Sequence, residues 1–173
     1  MGTYSHVLES NGTSVLSLGG WVDADEFRCR LRRFDGTERF ALNLWTLPPD
    51  MDYVEAVRAG LDALEYIQTA GRADALTVEI RKAGGSQWGV DWVRYVVGHP
   101  HSGAAEPLDV PIVLPQSTEM IARHEVFGAD EAADLFYSYY RDGDIPNSYT
   151  LRPVEGFTRT GANIDLRAAA APK

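Results

Sequence analysis

The 173-residue sequence has a single cysteine, Cys29, and no apolar run long enough to span a bilayer. A lone cysteine excludes an internal disulfide and a thiolate-rich metal site, since both need more than one thiol. A membrane helix needs about 20 consecutive apolar residues. Residues 1–11 also lack the basic start and apolar stretch of a signal peptide. Together these absences predict a soluble, cytoplasmic protein.

Basic residues are scarce: 16 Lys and Arg stand against 25 Asp and Glu, for a formal net charge of -9. Excess negative charge repels phosphate groups, so we expect neither nucleic acid nor an anionic membrane as a partner. The hydrophobic fraction of 45% is that of an ordinary globular chain. We predict one domain over residues 1–156, followed by a flexible C-terminal tail over residues 157–173.

Periodic apolar residues predict an α+β domain, with a mostly antiparallel β-sheet and two main helices. The alternation over residues 26–34 and 38–47, on either side of Asp35-Gly36, predicts a tight hairpin. A second hairpin is predicted around Gly84-Gly85. The predicted helices span residues 52–70, with Asp52 and Glu55 as a capping box, and 129–142. The predicted strands are 14–22, 26–34, 38–47, 75–82, 88–97, 110–114, 118–127 and 149–154.

Cys29 falls in the apolar register of the strand predicted over residues 26–34, between Phe27 and Leu31. A thiol in that register behaves as a small buried hydrophobe. A reactive thiolate favoured by Arg28 and Arg30 is the alternative, but in a strand these neighbours lie on the opposite face. We therefore predict a buried, structural cysteine.

The pair His99 and His101 is the most metal-like local feature, because two imidazoles this close can reach one ion. Glu106, Asp109 or the His124-Glu125 pair would complete such a site. The pair lies in a loop over residues 98–107 that is rich in small residues and proline, where solvated histidines are the simpler interpretation. A metal-dependent enzyme that uses His99, His101 and His124 is kept only as an alternative. We predict no metal and no cofactor.

Partner binding is predicted at acidic loops and at tryptophans beside turns. Asp23 and Asp25 cluster before residue 26, and Asp142 and Asp144 follow the last helix. Trp45 and Trp88 lie next to proline and glycine turns, where a partly exposed ring is able to anchor a partner. The predicted partner-binding residues are Asp23, Asp25, Trp45, Trp88, Asp142 and Asp144.

Two segments, WVRYVVGHP at 92–100 and IPNSYTLRPVEGF at 145–157, flank the acid-started helix DEAADLFYSYYRDGD at 130–144. In general character they resemble the C-terminal half of small actinobacterial immunity proteins, including mycobacterial immunity factors that block NAD-degrading toxins. The resemblance implies a cytoplasmic antitoxin of a polymorphic toxin system. Such a protein binds its cognate toxin, for example an NAD-degrading glycohydrolase, occludes the toxin's active site and has no catalysis of its own.

Three other functions stay open at this point. A small-molecule-binding α+β domain would enclose an apolar pocket lined by Trp92 and Tyr139. A metal-dependent enzyme would bring His99, His101 and His124 together in a cleft. A secretion adaptor would expose an apolar groove or an edge strand.

Overall fold

The computed structural model describes residues 3–168 of the chain. Within this range the α-helices are α1 (Ala24–Leu31), α2 (Tyr53–Arg58) and α3 (Ala129–Asp142). The strands are β1 (Tyr4–Ser10), β2 (Ser14–Gly19), β3 (Ala41–Thr46), β4 (Tyr66–Arg72), β5 (Ala75–Ala83), β6 (Trp92–Gly98), β7 (Val110–Val113), β8 (Thr118–Ile121), β9 (Thr150–Phe157) and β10 (Asn163–Asp165). Single turns of 3-10 helix cover Ser86–Trp88 and Arg123–Glu125.

Eight of these strands form one sheet in the order β10-β9-β6-β5-β4-β3-β1-β2, and β7 pairs with β8 in a separate hairpin. Every neighbouring pair is antiparallel. The predicted fold class, α+β with a mostly antiparallel sheet, is confirmed.

Helices α1 and α3 cover one face of the sheet and bury the largest apolar cluster. Phe27 of α1 lies against Phe136 of α3, with ring centroids 5.7 Å apart. Ion pairs join the two helices at their exposed side, where Arg32 Nε lies 2.7 Å from Asp130 Oδ1. The helical face of the sheet is therefore closed by packing.

The opposite face is covered only at its two sides. Helix α2 packs Ala56 over Val7 and Trp45, while the β7–β8 hairpin packs Ile112 and Ile121 over the β6–β9 side of the sheet. Between these two covers the strands present polar side chains. This uncovered strip forms the floor of the candidate functional site.

The hairpin predicted around Asp35-Gly36 is wrong, because residues 24–31 form α1 and not a strand. Phe27 and Leu31 are spaced four apart, which suits one face of a helix as well as it suits alternation in a strand. The Asp23 carboxylate accepts a hydrogen bond from the Asp25 N–H and caps the helix. Cys29 consequently lies on the outer side of α1 and is exposed, not buried.

Asp35 shapes the turn that leads towards β3. Its carboxylate accepts hydrogen bonds from the backbone N–H groups of Thr37, Glu38 and Arg39. These backbone donors, Thr37 first, hold the pKa of Asp35 at about 2. The Asp-Gly pair closes a loop here and does not join two paired strands.

The helix predicted over residues 52–70 is right at its start and wrong in its length. Asp52 and Glu55 form the predicted capping box, but α2 ends at Arg58. Gly60 then adopts a positive φ of 69°, which leaves the right-handed helix. The later part of the predicted helix is β4, whose residues Ile67 and Thr69 face the core side.

Three further boundaries differ from the sequence-based expectation. Strand β1 was not predicted, because both of its faces are covered and its apolar residues, Val7 and Leu8, are consecutive. The strand predicted over residues 118–127 ends at Ile121. Part of the predicted C-terminal tail belongs to the sheet, since β10 pairs with β9 and Leu166 is buried. Residues 169–173 of that predicted tail lie outside the described residues.

Candidate functional site

A row of polar side chains crosses the open face of the sheet, one from each of six adjacent strands. The register aligns Glu9 with Asn43, Asn43 with Gln68, and Gln68 with Glu79. Cross-strand partners share one face of a sheet, so these side chains lie beside one another. The row is Glu9 (β1), Asn43 (β3), Gln68 (β4), Glu79 (β5), Arg94 (β6) and Glu155 (β9).

The two amides in the row direct their N–H groups towards carboxylates. Asn43 Nδ2 donates to Glu9 Oε2 at 3.1 Å, and Gln68 Nε2 donates to Glu79 Oε2. An ionised carboxylate only accepts, so the orientation of each amide is set by its neighbour. Asn43 Oδ1 is left buried and without a hydrogen-bond partner.

Arg94 is the only cation of the row, and both of its terminal nitrogens are occupied. Nη1 donates to Glu79 Oε2 at 2.8 Å and Nη2 to Glu155 Oε2 at 3.0 Å. Burial lowers the pKa of Arg94, but the Glu79 and Glu155 carboxylates outweigh it and raise the pKa above its ordinary value. Arg94 therefore remains charged and is committed to its two carboxylates.

A cavity of about 420 Å³ lies over the middle of this row, and we call it the sheet groove. Its floor includes Glu9, Asn43 and Gln68. Its walls include Phe40 on the side of β3 and Leu114 and Glu119 from the β7–β8 connection and β8. Open on one side, the groove combines a polar floor with partly apolar walls.

Thr77 provides a second buried, unpartnered group in the sheet groove. Its side chain lies on the same face of β5 as Glu79, two residues further on, and lines the groove. Thr77 is 4% exposed, and its Oγ1 has no hydrogen-bond partner. Buried polar atoms are rarely left unpaired, and each exception needs an explanation.

The charges that line the sheet groove do not balance. Glu9, Glu79 and Glu119 contribute three carboxylates against the single guanidinium of Arg94, a net charge of -2. Asn43 Oδ1 adds a free acceptor, and the unpartnered Thr77 hydroxyl is able to accept as well as donate. The groove is therefore suited to a cationic hydrogen-bond donor.

None of the six residues predicted to bind a partner lines the sheet groove. Trp45 is only 1% exposed and packs against α2, so its ring is not available to a partner. Trp88 is half-buried against Val90 and Val93. Both tryptophans serve the packing of the fold, which corrects the expectation of a partly exposed ring at Trp45.

The acidic loops are exposed but partly engaged within the chain. Asp23 caps α1, and Asp25 forms an ion pair with Arg28. Asp144 accepts a hydrogen bond from Lys82 Nζ at 2.8 Å, while Asp142 is exposed.

Trp21 is the exposed aromatic residue that sequence reasoning passed over. It is 81% exposed and lies between β2 and Asp23, with its ring against Gly19. A Cβ at Gly19 would lie 2.8 Å from this ring. Its position beside two glycines was the available signal, since glycines have no side chains with which to cover a neighbouring ring.

The three histidines are brought only partly together. The rings of His101 and His124 lie 4.0 Å apart, and His124 Nδ1 lies 2.9 Å from Glu106. His99 bonds instead to Glu131, with 2.7 Å between Nε2 and Oε2. Within residues 3–168, no group of three or more His, Cys, Asp or Glu is arranged to hold a metal ion. The described residues thus give the metal-dependent alternative no site.

The pocket expected between Trp92 and Tyr139 is not formed. Trp92 lies on the open face of the sheet, near the guanidinium of Arg81. Tyr139 belongs to α3 on the other face and is buried in the main core. The sheet separates the two rings, so they cannot line one cavity.

Comparison with known proteins adds no further information about the site. No protein family, curated protein or solved structure matches the chain. Among the described helices, none has both the length and the apolar character needed to cross a membrane.

Proposed function

We propose that the chain is an immunity protein, which binds a cognate toxin through the sheet groove and covers the toxin's active site. The observation that carries this proposal is the groove itself, with its net charge of -2 and its buried acceptors Asn43 Oδ1 and Thr77 Oγ1. Buried acceptors without partners are costly in isolation. A partner that supplies donors removes that cost, so the groove favours a bound state.

The negative net charge of the chain favours a partner protein with a positively charged surface. The chain carries -9 overall, and enzymes that act on nucleotides commonly present positive clefts to their substrates. An acidic inhibitor associates faster with such a cleft and competes with the anionic substrate for it. The resemblance of residues 92–100 and 145–157 to actinobacterial immunity proteins is consistent with this role in the cytoplasm.

Binding alone suffices for inhibition in this proposal. Arg94 and Glu79 hold each other in a fixed ion pair, and the amides of Asn43 and Gln68 are held by carboxylates. Such a rigid, preorganised surface lowers the cost of ordering side chains on association. The chain contributes shape and charge to the complex, and the toxin contributes the chemistry that is blocked.

The test is capture followed by neutralisation. The wild-type chain is used to purify bound proteins from its native host, and each captured protein is then expressed in a second bacterium with and without the chain. We expect one captured protein to arrest growth by itself and to be harmless when the chain is present. Cellular NAD is measured in the same cultures, since its loss identifies a glycohydrolase. The proposal fails if the chain relieves no captured protein's toxicity.

A further inference from the structure

The acceptors of the sheet groove also indicate what kind of group occupies it. We infer that the sheet groove binds the guanidinium of an arginine side chain that the partner protein inserts. This inference rests on the proposed function, because it names the part of the toxin that the groove holds.

The atoms of the groove left without a hydrogen-bond partner are oxygens, Asn43 Oδ1, which only accepts, and Thr77 Oγ1, which accepts as well as donates. The Asn43 amide N–H donates to Glu9, and the Arg94 guanidinium donates to Glu79 and Glu155. The side-chain nitrogens of Asn43 and Arg94 are thus engaged within the chain. The groups that remain are the Asn43 carbonyl, the Thr77 hydroxyl and the remaining carboxylate lone pairs. A ligand has to bring N–H or O–H groups.

The ligand of the groove also carries positive charge. The lining has a net charge of -2, and removing carboxylates from water without a counter-charge is unfavourable. A neutral donor satisfies the acceptors but leaves that charge uncompensated. A cation meets both needs, and hydrogen bonds to charged groups are the stronger ones.

Two features of the groove favour a guanidinium over an ammonium group or a metal ion. The acceptors are spread over β1, β3 and β5, and a guanidinium offers five N–H donors in a plane, whereas an ammonium offers three from one point. Phe40 and Leu114 form apolar walls beside the floor. Such walls suit the methylene stem of an arginine side chain. Neither feature is needed by a metal ion, and the described residues form no metal-binding group.

The test uses the free chain and a small probe, Nα-acetyl-arginine-N-methylamide, titrated while the backbone and side-chain amide signals are followed by NMR. We expect saturable shifts centred on the Asn43 side-chain amide, Thr77 and Gly12, which lines the groove. The matched probe Nα-acetyl-lysine-N-methylamide is expected to bind several-fold more weakly.

Two conservative variants test the assignment of the acceptors. Glu9→Gln removes one charge but keeps an oxygen for the Asn43 amide, and Thr77→Val removes the hydroxyl with little change in shape. We expect Glu9→Gln to lower the affinity for the arginine probe about tenfold, because one charge-assisted hydrogen bond is lost. We expect Thr77→Val to lower this affinity by a smaller factor. Asp62→Asn, a charge removed at an exposed site outside the groove, leaves binding unchanged.

Several results overturn the inference. These are the absence of saturable binding, equal binding to the lysine probe, tighter binding of Ca²⁺ or Mg²⁺ at the same residues, or affinity unaffected by both variants. A chain that binds the arginine probe but neutralises no toxin retains this inference and loses the proposed function. A toxin that is neutralised and is captured equally well by Glu9→Gln and Thr77→Val retains the immunity role, but removes the sheet groove as its binding site and with it the inference.

Discussion

The Arg94 guanidinium lies 2.8 Å from the Glu79 carboxylate, and both side chains are largely buried beneath the sheet groove. Glu155 contacts the other terminal nitrogen of Arg94 at 3.0 Å. The three groups form a fixed charged base for the groove. Their geometry sets which of the remaining groove groups are free to bind.

Replacing Arg94 by Met tests how much the fold depends on this arrangement. Arg94→Met leaves Glu79 buried without its counter-charge, so we expect the free energy of unfolding to fall by about 3–5 kcal/mol. Urea denaturation measures the change. The control is Arg72→Met, which breaks the exposed pair with Asp74 and is expected to cost much less, because water and salt screen an exposed pair. Equal costs for the two variants would show that the buried ion pair does not stabilise the fold.

Because the side chain of His6 is buried, we predict that the stability of the chain depends on pH. Burial lowers the pKa of His6 from 6.5 to about 4 in the folded chain, where the ring lies 4.5 Å from that of Tyr140. Between those two pH values the unfolded chain binds the proton and the folded chain does not, so stability falls as pH is lowered through this window. Each unit of pKa difference corresponds to about 1.4 kcal/mol.

His6→Phe is the matched variant, because it keeps a ring against Tyr140 and removes the titration. We expect the loss of stability between pH 7.5 and pH 4.5 to be smaller in His6→Phe than in the wild-type chain, as measured by urea denaturation at each pH. Parallel losses in the two proteins would contradict a depressed pKa at His6.

The reactivity of the Cys29 thiol distinguishes the helix at residues 24–31 from the strand expected there. The thiol is exposed on α1, so we expect a maleimide to modify the folded chain at a rate close to that of the urea-unfolded chain. Mass spectrometry follows the single adduct with time. Protection of the thiol until the chain unfolds would favour the buried position that a strand implies.

The acidic loop at Asp23 and Asp25 is predicted to act on the rate of association with the toxin. Asn keeps the capping role of residue 23, so the double variant Asp23→Asn, Asp25→Asn removes charge with little change in structure. We expect slower association and a weaker dependence of that rate on salt. The dissociation rate is expected to stay the same, since neither residue lines the groove. An unchanged association rate at low salt would place the loop away from the path of approach.

Some elements could be predicted because their signals are local. Helix α3 has the predicted bounds, with acids in its first turn and Gly143 at its C-terminal cap. The β5–β6 hairpin follows from two alternating segments around Gly84-Gly85. Residues 24–31 form a helix where a strand is predicted, because the spacing of Phe27 and Leu31 fits both the helical period and the alternation of a strand. In the helix predicted over residues 52–70, Gly60 was the available end signal.

The sheet groove could not be predicted from sequence, for a physical reason. Its polar side chains are single residues in separate strands, and each by itself is typical of a solvated strand face. Only the register that sets Glu9 opposite Asn43, and Gln68 opposite Glu79, makes them neighbours. The predicted acidic loops were visible because their charges are adjacent in the chain, whereas the acceptors of the groove are assembled by long-range pairing.

The dissociation rate of the toxin complex shows whether the sheet groove holds the toxin. Surface plasmon resonance compares the captured toxin bound to the wild-type chain, to the double variant Glu9→Gln, Thr77→Val, and to Asp62→Asn. If the sheet groove holds the toxin, the double variant dissociates at least about tenfold faster, since groove contacts act mainly on dissociation, and Asp62→Asn behaves as the wild type. A double variant that dissociates at the wild-type rate would show that the toxin binds elsewhere on the chain.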